Sequence, residues 1–338
     1  MKAIIEEGEP PITASRARRT AGTQLGRGLQ IKTILVPLDF SRASIQALKY
    51  AIPFGKEFGA VIHLVHVQPT KALTAIVNVG GLMLNRMDAI ALMQDRLSEA
   101  LRRQGRFSPD NCHAVSGRPF EEICKLAREI KADLIVLPTR GLSRLKQGIL
   151  GSTAEHVIRH APCPVLIPRG AEFTSITWNG AGATTDFELR KILVPVDFTK
   201  CSLAGVKYAA RLAKGTGATL RLFHVVFPYP QLFAVDRVGA SLTPLIKTAK
   251  ARAREEMSEL LELSFLRGIP CETEIQTGPV IDEICEESSR TGIDLVVTST
   301  HGCTGFEHAV FGSVAEHVVR HAECPVIVIP HRGCDQHE

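Results

Sequence analysis

Two stretches of the chain are nearly identical and decide the fold: Lys32-Thr-Ile-Leu-Val-Pro-Leu-Asp-Phe-Ser41 and Arg190-Lys-Ile-Leu-Val-Pro-Val-Asp-Phe-Thr199. Each contains an apolar run that ends at a Pro and an Asp, which is the pattern of a strand buried on both faces of a parallel sheet. Ser41 then stands where a helix N-cap is expected, and the helix predicted over 42–58 ends at Gly59. Each copy therefore begins with a strand followed by a helix.

The repetition extends over almost the whole chain. His66-Val67 matches His224-Val225, and Gly151-Ser-Thr-Ala-Glu-His-Val-Ile-Arg-His-Ala161 matches Gly312-Ser-Val-Ala-Glu-His-Val-Val-Arg-His-Ala322. A period of about 160 residues indicates a duplicated domain, because solenoid repeats are only about 20–50 residues long. We expect a disordered leader over 1–28, one domain over 29–170, a linker over 171–187, a second domain over 188–332 and a tail over 333–338.

Within each copy, apolar runs alternate with helical patterns. After the first helix, the first copy has predicted strands at 61–67, 112–115, 133–137 and 164–167, and predicted helices near 85–104, at 119–130 and at 152–160. The long helix has a counterpart near 241–267, and both are interpreted as amphipathic cover for the sheet or as lids over a site. Strands separated by helices imply right-handed crossovers and a parallel sheet with helices on both faces. The sequence therefore predicts an α/β protein with two tandem, doubly wound, five-stranded parallel sheets.

Composition excludes several classes of protein. The 338 residues are 45% hydrophobic, and the 40 basic and 35 acidic residues give a net charge of +5 without a long basic run, so a nucleic-acid partner is not expected. No stretch approaches the roughly 18 apolar residues of a membrane span. The nine cysteines are an odd number and form no C-x-x-C, which argues against a disulfide framework and a tetrathiolate zinc site. We expect a cytoplasmic protein without a membrane partner.

Ligands of open parallel sheets bind outside the carboxyl ends of the strands, so the residues that follow each strand are the candidates. After the first strand come Pro37 and Asp39, and in the second copy Pro195 and Asp197. A carboxylate at this place can accept a hydrogen bond from a ribose hydroxyl or an adenine amino group. It can equally serve as a helix N-cap or close an Asx turn, and both interpretations stay open.

Glycines follow the fourth strand at the same spacing in both copies. Pro138-Thr-Arg-Gly141 is followed by nine residues and then Gly151-Ser152, while Ser299-Thr-His-Gly302 is followed by nine residues and then Gly312-Ser313. Glycines let the backbone approach an anion closely, and the exposed amides of a helix N-terminus bind phosphate oxygens. A Ser or Thr at that N-terminus can cap the helix or donate its hydroxyl to a phosphate.

These motifs carry a family resemblance. The pattern G-x2-G-x9-G-[ST], preceded by V-P-x-D-F-S and H-V and followed by H-A-x-C-P-V, resembles the universal stress protein family over about 30–168 and 190–330. The resemblance implies a Rossmann-like sheet with the strand order 3-2-1-4-5. It also implies ATP binding, as in many members, by a stress-response protein that acts as a sensor or regulator rather than as a committed enzyme.

The resemblance also implies particular site residues. Asp39 and Val67 would meet adenine, Gly141 the ribose and phosphates, and Gly151 and Ser152 the phosphates. The candidates in the first copy are Pro37, Asp39, Val67, Gly141, Gly151, Ser152 and Thr153, and those in the second copy are Pro195, Asp197, Val225, Ser299, Gly302, Gly312, Ser313 and Val314.

The first motif glycine is replaced in both copies. Pro138 stands there in the first copy and Ser299 in the second. Proline removes an amide donor and fixes φ, whereas serine keeps the amide, so ATP is expected to prefer the second domain. Three cations beside the first loop are interpreted either as compensating for the lost donor or as solvated: Arg140, Arg144 and Lys146.

No catalytic motif accompanies these glycines. The chain lacks the Walker G-x4-G-K-[ST], G-x-G-x-x-G and G-x-S-x-G patterns, so no dedicated catalysis is predicted, while slow hydrolysis of a bound ATP stays open. His156 and His160, like His317 and His321, share a helix face at i,i+4. This spacing is compatible with a zinc site or with helix-end capping and packing. Because no third ligand has matching spacing, we expect no metal beyond nucleotide-bound Mg²⁺.

Two further hypotheses remain beside the nucleotide-binding one. The first is a nucleotide-free interaction module of the same fold, and the second is a metal- or thiol-linked sensor. His66 and His224, at strand ends, are predicted to be hydrogen-bonded structural residues. The last strand of each copy, at Val165–Ile167 and Val326–Ile329, is the candidate contact of an intramolecular pseudo-dimer, with a homodimer as a further option.

Overall fold

The computed structural model describes residues 28–69, 88, 91, 109–138, 150–169, 188–227, 243–290, 292–300 and 312–330. The first half contains β1 (Thr33–Pro37), α1 (Arg42–Phe58), β2 (Val61–Pro69), β3 (Cys112–Gly117), α2 (Pro119–Glu129), β4 (Leu134–Val136), α3 (Ser152–His160) and β5 (Val165–Ile167). The second half contains β6 (Lys191–Pro195), α4 (Lys200–Thr216), β7 (Thr219–Val226), α5 (Thr243–Leu261), β8 (Cys271–Thr277), α6 (Val280–Ser289), β9 (Leu295–Ser299), α7 (Ser313–His321) and β10 (Val326–Ile329). Short 3-10 helices lie at Pro109–Asn111 and Ser264–Leu266.

The strands form one ten-stranded sheet in the order β3-β2-β1-β4-β5-β10-β9-β6-β7-β8. Within each half the strands are parallel and follow the order 3-2-1-4-5, which confirms the predicted fold class. At the centre β5 and β10 pair antiparallel, with Val326 opposite Ile167 and Val328 opposite Val165. The two five-stranded sheets are therefore continuous with one another.

The first helix of each half has the ends that the sequence predicts. The Ser41 hydroxyl accepts a hydrogen bond from the Ser44 amide at 3.2 Å, and Gly59 ends α1 in the left-handed conformation at φ 67°. Thr199 caps α4 in the same way through the Ser202 amide, also at 3.2 Å. Hydroxyl capping and a terminal glycine thus fix where these helices begin and end.

The core consists of two apolar layers, one on each face of the sheet. In β1 the side chains of Ile34 and Val36 enter the layer under α1, while Leu35 enters the layer under α2 and α3. All three are fully buried, which explains why the strand is a continuous apolar run instead of an alternating one. Burial of each such side chain contributes about 1.5–3 kcal/mol.

Some predicted elements differ from the structure or lie outside it. The predicted helix at 85–104 lies almost wholly outside the described residues, of which Asp88 and Ala91 are helical. The predicted strand at 133–137 is observed as Leu134–Val136, although the flanking amides still donate to neighbouring strands, that of Asp133 to the Thr33 carbonyl at 2.9 Å and that of Leu137 to the Leu166 carbonyl at 3.0 Å. The Asp133 carboxylate also accepts the amides of Lys32 and Thr33, at 2.7 and 3.0 Å. None of the helices in the described part of the chain is long and apolar enough to cross a membrane.

Candidate functional site

The aspartate after the first strand of each half closes an Asx turn. Asp39 Oδ1 accepts the Ser41 amide at 3.0 Å, and Asp197 Oδ1 accepts both the amide and the hydroxyl of Thr199, at 3.0 and 2.6 Å. The helix N-cap is the next polar residue, Ser41 or Thr199, so the N-cap interpretation of the aspartates is wrong and the Asx-turn interpretation is correct. An ionised carboxylate offers about four acceptor positions, so closing the turn does not by itself define all the contacts of this group.

The residue after this aspartate has a left-handed backbone, which is rare for a bulky side chain. Phe198 has φ 62°, and its ring lies 4.7 Å from the ring of His224. His224 Nδ1 donates to the Val196 carbonyl at 2.7 Å, which confirms the hydrogen bond predicted for this histidine. In the first half His66 Nδ1 donates to Leu38 at 2.8 Å. The loop that carries each aspartate is thereby held to the end of the neighbouring strand.

The Gly-Ser turn of the second half presents the N-terminus of α7. Gly312 is the N-cap, and its own amide donates to the Thr300 carbonyl at 2.8 Å. The first helical hydrogen bond joins the Glu316 amide to the Gly312 carbonyl at 2.9 Å, so the amides of Ser313, Val314 and Ala315 have no acceptor inside the helix. Three donors at a helix N-terminus form a site that favours an anion.

The serines of these turns do not cap their helices, which corrects one expectation from the sequence. Gly151 and Gly312 occupy the N-cap positions in an extended conformation, and neither makes a side-chain capping bond. Ser152 and Ser313 are consequently the first helical residues, one position too far along the chain for a capping hydroxyl.

One cavity of about 730 Å³ lies at the carboxyl edge of the second half. This volume is within the range of about 300–1,000 Å³ that small-molecule sites occupy. Seven of the eight candidate residues of the second copy line it: Pro195, Asp197, Val225, Ser299, Gly312, Ser313 and Val314. Gly302, the eighth, lies outside the described residues.

The walls of this cavity are mostly apolar. Val196, Phe223 and Val225 line the side of the strands, and α5 covers the cavity with Leu245, Ile246, Ala249 and Ala253. The sequence left α5 either as cover for the sheet or as a lid. Met257 and Leu260 of the same helix are buried in the core, which confirms that α5 covers the sheet, while its N-terminal half lines the cavity.

Sequence reasoning missed several residues that line the cavity. Thr298 and Thr300 are buried polar residues at the end of β9, and Ser202 lies in the first turn of α4. Arg252 and Glu256 of α5 line it as well and form an ion pair at 2.7 Å. The alternation of Thr298 and Thr300 about Ser299 was the available signal for the first two.

Most candidate residues of the first copy occupy equivalent places. Pro37 ends β1, Val67 pairs with Val115 near the end of β2, and Gly151 begins α3. The first helical bond of α3 joins the Glu155 amide to the Gly151 carbonyl at 2.9 Å. The amides of Ser152 and Thr153 therefore have no acceptor inside the helix, like those of Ser313 and Val314 in α7. Gly141, Arg140, Arg144 and Lys146 lie outside the described residues.

Equivalent positions on the strands carry different chemistry in the two halves. In the first half His63 Nδ1 and His113 Nε2 lie 3.1 Å apart, and burial lowers the pKa of both imidazoles. In the second half the same positions hold Arg221 and Glu274. Arg221 Nε donates at 2.6 Å to Glu287, whose side chain is only 2% exposed. The first half therefore has a pair of histidines where the second half has an ionic cluster around Arg221.

Four of the described cysteines are poor candidates for a thiol-linked sensor. Cys112, Cys124, Cys163 and Cys324 are buried. Burial raises the pKa of Cys324 to about 12 and the pKa of Cys112 to about 11, so both remain thiols at neutral pH. The thiolate is the reactive form, and burial therefore suppresses the reactivity of these side chains.

The histidines of α3 and α7 make the helix-end hydrogen bonds that the capping interpretation predicts. His160 Nδ1 donates to the His156 carbonyl at 2.8 Å, and His321 Nδ1 donates to the His317 carbonyl at 3.0 Å. Across the described residues, no three side chains of His, Cys, Asp or Glu come together as metal ligands.

The sequence of the chain matches a model of a known protein family. The model of the universal stress protein family matches the chain twice, over residues 30–169 and 188–330. The chain belongs to the universal stress protein family. Because the two matches coincide with the two halves of the ten-stranded sheet, this universal stress protein carries the family fold in tandem.

Individual relatives agree with this assignment. Universal stress protein MJ0531 of Methanocaldococcus jannaschii is 33% identical over 141 residues, which are 40% of this chain and 81% of that protein. Universal stress protein YxiE of Bacillus subtilis is 31% identical over 147 residues, or 40% of this chain and 97% of that protein. The crystal structure of a universal stress protein from Archaeoglobus fulgidus resembles this fold with a TM-score of 0.58 at 23% identity, covering 89% of this chain and 99% of that one.

Proposed function

We propose that this universal stress protein binds ATP or a related nucleotide in the cavity of its second half, and that it acts as a stress-response sensor or regulator. One observation carries the proposal: candidate residues that are scattered along the sequence from Pro195 to Val314 line a single cavity. That cavity lies at the carboxyl edge of the parallel strands, where ligands of such sheets bind.

The phosphates occupy the N-terminus of α7 in this proposal. The amides of Ser313, Val314 and Ala315 are available there, because the first helical hydrogen bond begins at Glu316. Gly312 brings no side chain between these amides and the cavity. The partial positive charge of the helix end adds to the attraction for a phosphate.

The base occupies the apolar part of the cavity. Phe223 and Val225 on the strands face Leu245 and Ile246 of α5 across a space of suitable volume for a small planar ligand. Asp197 at the rim supplies a carboxylate for a ribose hydroxyl or an exocyclic amine, while its Oδ1 holds the loop in place through Thr199.

The second half is proposed as the preferred site. Ser299 keeps a backbone donor at the start of the glycine motif, whereas Pro138 cannot donate at the equivalent point of the first half. The second glycine of the motif is Gly141 in the first half and Gly302 in the second. Three cations lie near the first motif in the sequence: Arg140, Arg144 and Lys146. Mg²⁺ enters only with the nucleotide.

A regulatory role is favoured over a committed enzyme. Among the described residues that line the cavity, the charged ones are Asp197 and the paired Arg252 and Glu256. The sequence contains neither the Walker pattern nor the G-x-S-x-G pattern of dedicated catalysis. We further propose that the domains extend over 29–170 and 188–332 with a linker at 171–187. The pairing of β5 with β10 supports their association as an intramolecular pseudo-dimer.

Isothermal titration calorimetry of the full chain with ATP, ADP and AMP tests the proposal. Ser313→Asp places a carboxylate at the first position of α7, where it stabilises the helix by about 0.3–1 kcal/mol but repels a phosphate. We expect ATP affinity to fall at least about tenfold without a loss of melting temperature, a change of ~1.4 kcal/mol in binding free energy.

Ser152→Asp at the matching position of α3 is the control, and it should leave the main binding event unchanged. If the unmodified chain binds none of the three nucleotides, or if Ser313→Asp binds ATP as tightly as the parent, the proposal fails. The first outcome favours the nucleotide-free interaction module. In that case the melting temperature would also not rise with added nucleotide.

A further inference from the structure

The outer face of α7 carries two histidines that are arranged as a pair. His317 and His321 are one helical turn apart and both are exposed. Their ring centroids lie 5.7 Å apart, and the two ring planes differ by only 18°. Two imidazoles at this spacing project from one helix face toward the same region of solvent.

The hydrogen bonds of the pair fix which nitrogen of each ring is protonated. His317 Nδ1 lies 2.9 Å from the Ser313 carbonyl, and His321 Nδ1 lies 3.0 Å from the His317 carbonyl. A carbonyl oxygen only accepts, so each Nδ1 carries the proton and each neutral ring keeps its lone pair on Nε2. Metal-binding histidines use this same arrangement, in which a backbone carbonyl orients the ring.

The charges around the pair permit a cation. Arg320, which lies between His317 and His321 in the chain, is ion-paired with Glu316. His321 is the last residue of α7, where the unpaired carbonyls give the helix end a partial negative charge. A bound dication near this end is therefore stabilised by the helix.

We propose that His317 and His321 bind a divalent transition metal ion through their Nε2 atoms, with water completing its coordination. The two imidazoles are the protein ligands of this site, and its other coordination positions are open to solvent because both side chains are exposed. Imidazole nitrogen suits Zn²⁺, Ni²⁺ and Cu²⁺, and Cu²⁺ binds most tightly among the divalent ions of this series. The assignment does not depend on nucleotide binding.

The first half offers a natural comparison. His156 and His160 have the same spacing, but their centroids are 6.2 Å apart and their planes differ by 39°. The ring of Phe120 lies 4.7 Å from that of His156 and is stacked on it. Ile281 occupies the position of Phe120 in the second half. The pair in α7 is therefore expected to bind the metal more tightly.

Titration of the full chain with Cu²⁺, followed by calorimetry and electron paramagnetic resonance, tests this site. We expect His321→Ala and His317→Ala each to lower the affinity of the tightest site at least about tenfold, the lower end of the loss that follows damage to a metal site. The spectrum should show coupling to two imidazole nitrogens in the parent and to one in either variant.

The double variant His156→Ala/His160→Ala is the matched control and should retain the tight site. Alanine favours helix, so the circular dichroism of every variant should match that of the parent. The assignment is overturned if His317→Ala/His321→Ala keeps the parent's affinity and two-nitrogen spectrum. It is equally overturned if the tight site disappears in the α3 control instead.

Discussion

Replacing Asp197 by Asn separates the two roles that the sequence left open for this residue. The Asn side chain keeps an oxygen that accepts the Thr199 amide and hydroxyl, now at 3.0 and 2.6 Å from Asp197 Oδ1. The Asx turn should therefore survive, and the free energy of unfolding should change by less than about 1 kcal/mol. The substitution changes the other carboxylate oxygen, Oδ2, because an NH₂ donor replaces this acceptor.

The consequence for nucleotide binding follows from this exchange of acceptor for donor. A ribose hydroxyl or adenine amine that donates to Asp197 would meet a second donor, and leaving such groups unsatisfied costs about 1–3 kcal/mol. That range corresponds to a loss of about 5- to 150-fold in affinity. Calorimetric titration with ATP measures the loss, and thermal unfolding without ligand reports whether the turn is intact.

Two further variants make the experiment decisive. Asp39→Asn, at the same position of the first half, should leave the principal ATP affinity unchanged. Asp197→Ala removes both the turn and the ligand contact, so it should lower stability and affinity together. If Asp197→Asn binds ATP as the parent does while Asp197→Ala binds weakly, Asp197 only supports the loop and the reasoning about its ligand contact is wrong.

Three other predictions concern stability. Arg221→Met leaves Glu287, whose side chain is 2% exposed, without its closest cation and should cost about 3–5 kcal/mol in urea unfolding. Adding Glu287→Leu, the residue type found at the equivalent position of the first half, should recover most of that loss. Burial lowers the pKa of His63 and His113, so the unfolded chain takes up protons first and stability should fall as the pH drops below about 6.5. Replacing both histidines by Gln should flatten that dependence of the urea midpoint. Leu166 is fully buried and pairs with Ile327 at the β5–β10 contact, so Leu166→Ala should lower the free energy of unfolding by about 2–5 kcal/mol. Calorimetry should show one unfolding transition shared by both halves, whereas two separated transitions would show that the halves unfold independently.

The sequence predicts best where several local signals agree. Periodicity, a hydroxyl before the first turn and a glycine after the last one all mark the same helix, and α1 occupies the predicted residues 42–58. By contrast, the sequence does not predict that the Asp133 carboxylate accepts the amides of Lys32 and Thr33 at the start of β1. That contact joins residues about one hundred positions apart, and no local pattern contains it.

The candidate site shows the same boundary between local and distant information. Glycine spacing and strand ends located the residues that line the cavity, because parallel strands bring their carboxyl ends to one edge. The sequence could not tell which of two neighbours, Gly312 or Ser313, takes the N-cap conformation. Nor could an amphipathic pattern say that Leu245 and Ile246 would cover this cavity, since the pattern gives a helix face and not its partner.

The antiparallel junction between β5 and β10 determines how the two candidate sites relate. All strands within a half are parallel, so reversing direction at the junction places the carboxyl ends of the two halves at opposite edges of the sheet. Gly151 and Gly312 therefore begin helices at opposite edges, and the described residues that line the cavity of the second half all belong to that half. The two apolar layers contain residues of both halves and so connect the two edges. For the same reason a substitution at one edge does not touch a ligand at the other, and the duplication supplies each site variant with a control in its own chain.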